Sequence, residues 1–148
     1  MTGLFLPRTI RLDPSDTFVF DLAAEPGEWA VTGSFLFLDA DPAAMPPKVR
    51  AAFRAGFLGV GSFGFSTLVV VSPATARERE EAVATLAGQL ATRFGAPSRE
   101  AALAAAEEEI AFAASLCRHP EGTLIALHRT LEDGDIVVVT SKVVSKAE

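Results

Sequence analysis

The chain has 148 residues, 49% of them hydrophobic and 22% charged, and a formal net charge of −6. That size and balance describe one globular domain over residues 1–148, whose α+β class follows from the order of its elements below, and exclude a disordered chain. A single cysteine excludes an internal disulfide framework, and the acidic balance excludes a general nucleic-acid binder.

The first residues, Met1 to Pro7, carry neither the basic flank nor the apolar stretch of a leader. No apolar run reaches the roughly 20 residues of a spanning helix. A cytoplasmic protein without membrane contact is expected. Arg8 to Asp13 alternates, Pro14-Ser15-Asp16 is a turn, and Thr17 to Asp21 alternates again with Phe18 and Phe20 on one face. This predicts a first hairpin. Pro26 and Gly27 are placed for a type II turn, after which Trp29 to Leu38 reads as a third strand.

Pro47 opens a helix predicted to run to Ala55, with Gly56 as a left-handed cap. A glycine-rich segment and a buried strand, Ser66 to Ser72, follow. Thr75 and Glu78 form a capping box for a helix reaching Phe94, and Gly95 caps it. Gly88 inside that helix suggests a close helix crossing. Pro97 and Ser98 restart a helix to about Arg118, striped by Leu103, Ala106, Ile110, Ala113 and Cys117. The short connection makes these two helices an antiparallel pair. Thr123 to Thr130 and Ile136 to Val143 flank Asp133-Gly134, a hairpin signal. The expected order is three strands, helix, strand, two helices, two strands: a mostly antiparallel sheet of about six strands with one short helix and a helical hairpin.

Leu58-Gly59-Val60-Gly61-Ser62-Phe63-Gly64 resembles the glycine-rich loop of protein kinases. Such loops close backbone N–H groups on phosphate oxygens. The kinase partners are missing: Ser66 to Ser72 holds no lysine, and His128-Arg129-Thr130 lacks the catalytic aspartate. The segment also follows a helix and opens a strand, the reverse of a dinucleotide fingerprint. An architectural joint is therefore expected. The alternative is a small-molecule or anion site in segment 56–66, enzymatic or not, using the amides near Gly59, Gly61 and Gly64. Phe57, Phe63 and Phe65 would line it, with His128 or Arg129 as polar anchor.

Other constellations read as structure. Cys117, His119 and His128 are too few and badly spaced for zinc, so no metal site and no cofactor is predicted. Glu107, Glu108 and Glu109 fan around a helix, and only Glu109 turns inward, beside Ile110. Arg8, Arg11 and Arg129 would gather on one sheet face if their strands were neighbours.

Leu131 to Glu148, with its Asp-Gly-Asp turn, valine-rich strand and Ser-Lys-Ala-Glu end, resembles a segment near the start of the γ-glutamyl ligases of deazaflavin-cofactor biosynthesis. The likeness covers 18 residues and implies a shared hairpin shape, not ligase activity. Over its whole length the chain resembles a small uncharacterised alphaproteobacterial family, through Glu25–Trp29, Ala52–Leu58 and Phe63–Thr67. That resemblance implies no mechanism. The function expected from the residues is a small accessory or interaction domain, working as a homodimer or with a protein partner.

Overall fold

The computed structural model describes residues 4–11, 14–37, 41–132 and 136–145. The turn expected at Asp133-Gly134 lies outside them. The elements are β1 (Leu4–Ile10), α1 (Ser15–Val19), β2 (Ala30–Val31), α2 (Pro47–Ala55), β3 (Phe57–Gly59), β4 (Phe65–Ser66), β5 (Leu68–Ala74), α3 (Ala76–Phe94), α4 (Arg99–Ser115), β6 (Leu124–Glu132) and β7 (Ile136–Ser145). Two 3₁₀ turns, Ser34–Phe37 and Pro42–Ala44, sit between β2 and α2. The class is α+β, with antiparallel strands in two sheets instead of one. The larger sheet has the order β1-β5-β6-β7, and the smaller β2-β3-β4.

The small sheet lies between the large sheet and the helical hairpin. Ala30 and Phe57, on one of its faces, cluster with Val69, Val71, Ile125 and Leu127 of the large sheet. Val31 and Leu58, on the other, cluster with Leu86, Leu90, Ala106 and Ile110 of α3 and α4. Each strand thus sorts its side chains by the period-two rule. A third cluster, Phe20, Phe37, Ala52 and Phe53, closes the end where α2 packs.

The helical hairpin forms as its caps dictate. The Thr75 hydroxyl accepts from Glu78 N while the Glu78 carboxylate accepts from Thr75 N, and Gly95 ends α3 with φ +60°. Ser98 caps α4, which ends at Ser115 and buries Ala102, Ala106, Ile110 and Ala113.

Several expectations are corrected. The stretch from Thr17 to Asp21 is no strand: α1 takes residues 15–19, leaving Phe18 exposed and Phe20 buried. Buried Asp16 anchors it, accepting from the Thr67 hydroxyl at 2.6 Å. The long third strand shrinks to Ala30–Val31, because Gly33 turns the chain with φ +73° where a Cβ would meet Leu58 at 2.8 Å. Gly56 is extended, with φ −93°, and is no left-handed cap. Gly88 marks no close crossing, since a Cβ there would meet nothing within 4 Å.

Candidate functional site

The glycine-rich segment is a tight hairpin between β3 and β4, and a carboxylate of the same chain sits in it. Gly61 N and Ser62 N donate to Glu28 Oε1 at 3.0 and 2.7 Å. The Ser62 hydroxyl donates to Glu28 Oε2 at 2.6 Å, and Glu25 N donates to the same oxygen at 2.6 Å. This is an anion nest with a built-in anion.

The remaining amides close on the loop itself or, for Val60, on Trp29. Gly59 N donates to Gly64 O, Phe63 N to Gly59 O and Val60 N to Trp29 O, while Gly64 N donates to the Ser62 hydroxyl. All six N–H groups from residue 59 to 64 have acceptors within the chain. The Gln89 side-chain amide donates to Gly61 O at 2.8 Å and ties the loop to α3.

Close approach explains two of the glycines. A Cβ on Gly59 would lie 2.7 Å from Glu28 Oε1, and one on Gly64 would lie 2.6 Å from the Ala23 carbonyl. Phe63 holds a positive φ of 62° between them. Its buried ring lies under Arg93, at 4.9 Å.

Arg129, on β6, is 1% exposed. Its Nε donates to the Ser34 hydroxyl at 3.0 Å. Its Nη1 donates to the carbonyls of Ala52 (3.1 Å) and Phe53 (2.5 Å), and its Nη2 to those of Thr32 and Gly56 (3.3 Å). Guanidinium has five N–H donors, and five acceptors meet them. The carbonyls of Ala52, Phe53 and Gly56 lie at the C-terminal end of α2, where Ala52 O also accepts from Gly56 N and a cation meets the negative end of the helix dipole. The Phe37 ring lies 4.8 Å from the guanidinium carbon.

Burial pulls the Arg129 pKa down to about 10, against a partial rise from Glu109. Glu109, on α4, is half-buried, and its Oε1 has no hydrogen-bond partner. Burial raises its pKa, neighbouring Glu108 raises it further, and Arg129 opposes both. Burial also pushes the Cys117 thiol up to about 12, which leaves it a protonated core residue.

The residues expected to make a ligand pocket are scattered by the fold. Phe57 is fully buried between the two sheets, and Phe63 faces the helical hairpin. Phe65 is half-buried beside Phe20 and Phe37. Arg129 touches Gly56 from below, whereas His128 alternates to the opposite face of β6 and is exposed. The three strand arginines do not gather either. Arg8 stacks 3.9 Å over Trp29 and reaches Glu78, and Arg11 donates to Ala24 O at 2.6 Å.

Glu28, the residue that fills the nest, escaped the sequence reading because 33 residues separate it from Gly61. The available signal was an acid two residues past Pro26, beside glycines that had no other anion.

One apolar cavity of about 120 Å³ opens beside this region. Leu22, Phe37, Val49, Ala52 and Phe65 line it, with Asp21 and Lys48 at its wall. The segment that leads into it presents Phe18, 72% exposed, with Val19 and Leu22 also exposed.

Two antiparallel sheets under a helical hairpin, cross-tied by one buried arginine, define the class as an α+β domain. The chain belongs to the Family of unknown function (DUF6505), whose model matches residues 4–146. The match is consistent with the resemblance to an uncharacterised family. No curated protein and no solved structure matches the chain. No helix among the described residues is long and apolar enough to cross a membrane.

Proposed function

We propose that this is a small cytoplasmic accessory domain that works by binding another protein. One observation carries the reading: Phe18, Val19 and Leu22 are exposed within five consecutive residues, and Leu22 lines an apolar cavity with Phe37, Val49 and Phe65. Several large apolar side chains exposed so close together along the chain favour a binding surface. An aromatic anchor next to a pocket is the usual core of an interface. Asp21 and Lys48 flank the cavity and form no ion pair with a described residue, so they supply a polar rim.

The alternative, a small-molecule or anion site at segment 56–66, is less supported. A ligand there would have to displace Glu28 from the Gly61 and Ser62 amides.

A photo-crosslinking side chain placed at position 18 tests the interaction in cells. The expected result is one discrete adduct to another protein, lost when Leu22→Asp is added. Absence of any adduct, or an adduct indifferent to Leu22→Asp, overturns the reading.

A further inference from the structure

The large sheet has two edges, and the chain treats them differently. At β1, Pro7 removes a donor from the strand. Glu28 O and Gly27 N then cap Thr9, at 2.8 and 2.9 Å, and Arg8 bridges to Trp29. A proline and a covering loop are the devices that keep an edge from pairing.

Among the described residues β7 has neither a proline nor a backbone-paired loop on its outer side. The strand Ile136–Ser145 is ten residues long, against a usual five or six. It contains five valines, no proline and no acid, and Lys142 is its single charge. It pairs with β6 on one side, and among the described residues no strand pairs with the other. The N–H and C=O groups on that side therefore have no strand partner among the described residues.

We propose that β7 is the contact of a two-fold homodimer, in which β7 of one copy runs antiparallel to β7 of a second and the sheets join into eight strands. A two-fold axis sets one strand against itself in antiparallel sense. Directly opposed residues must share a face, so the axis passes through a residue pair. Placed at Thr140, it sets Val143 opposite Val137 of the second copy, Lys142 opposite Val138 and Val144 opposite Ile136.

The two Lys142 residues are then four positions apart along the edge. At about 3.4 Å per residue that is roughly 14 Å, beyond the Debye length of about 8 Å at physiological salt. A chain with a net charge of −6 repels its own copy over most of its surface. This strand is the place where two copies meet without opposing acids. β7 shares no residue with segment 18–22 or with the cavity lining, and the two proposals are tested by separate variants.

Light scattering of the wild-type chain at about 100 μM should give twice the 15.6 kDa of one chain. A monomer at that concentration, or an open-ended series of larger species, overturns the proposal. Amides in an antiparallel strand point alternately to its two neighbours. Of Thr140→Pro and Ser141→Pro, one therefore blocks the β6 ladder and the other the open edge. The second should keep its circular dichroism and melting temperature as a monomer, and a folded variant that still dimerises overturns the proposal. If neither variant folds, hydrogen exchange on the wild type decides. Amides of residues 136–144 should exchange more slowly as concentration rises, and a rate independent of concentration overturns the dimer.

Discussion

Arg129 and Glu28 solve the same problem with opposite signs and at different depths. Each is a charged side chain saturated from within the chain. Arg129 gathers carbonyls in the core, where every lost partner is a stranded polar atom. Glu28 gathers amides near the surface, where water can replace what is lost. Depth, more than the number of bonds, should set the cost of removing each charge.

The sharpest way to break that comparison is Arg129→Met. It takes the guanidinium donors from the carbonyls of Thr32, Phe53 and Gly56, while Ala52 O keeps its bond from Gly56 N, and should cost about 3–5 kcal/mol, comparable to breaking a buried ion pair. For a domain of this size that lowers the melting temperature by roughly 10 °C, readable by calorimetry. A loss below about 1 kcal/mol would show that the buried guanidinium adds nothing net.

Gly64→Ala comes next. Its Cβ would press on the Ala23 backbone at 2.6 Å, which cannot move without disturbing the bonds from Ala24 N to Phe65 O and from Phe65 N to Leu22 O. Overpacking of this kind costs about 1–3 kcal/mol, measurable as a shifted urea midpoint at constant slope.

Glu28→Ala should cost less, about 1–2 kcal/mol, and it opens the nest. The vacated amides of Gly61 and Ser62 then offer an anion site. Phosphate should therefore raise the melting temperature of this variant and leave the wild type unmoved. Equal shifts in both proteins would mean that the carboxylate does not block the loop.

The smallest effect is a pH dependence on Glu109. Its pKa is raised above the ordinary 4.5, chiefly by burial, so the folded state holds the proton more tightly than the unfolded state. The stability this confers is complete below pH 4.5 and is lost as pH climbs through the raised value. Glu109→Gln removes that loss. Its urea midpoint relative to wild type should be higher at pH 7 than at pH 4, and the reverse order would contradict a desolvated carboxylate.

What was legible in the sequence was local. The Thr75–Glu78 box, Gly95 and Ser98 bound α3 and α4 because a cap needs only residues three apart. The strand from Thr123 to Thr130 was legible, but not that Arg129 turns into the core beside Ile125 and Leu127. Partners distant along the chain were not legible. Phe18 and Phe20 alternate like a strand, yet Asp16 is held by Thr67, 51 residues away, and the segment coils into α1. The acceptors of Arg129 are almost all main-chain carbonyls, which any residue type supplies and no motif announces. The joint at the glycine segment was readable from its missing catalytic partners, but the carboxylate that closes it was not.

The guanidinium cross-tie also orders events in time. Thr32 leaves the ribosome 97 residues before Arg129, and Gly56 leaves 73 residues before it. Throughout that interval the end of α2 lacks the donor that completes it, so the early half of a nascent chain stays unfinished until the penultimate strand is synthesised. A polypeptide stalled short of residue 129 should therefore present that unfinished end to chaperones and proteases.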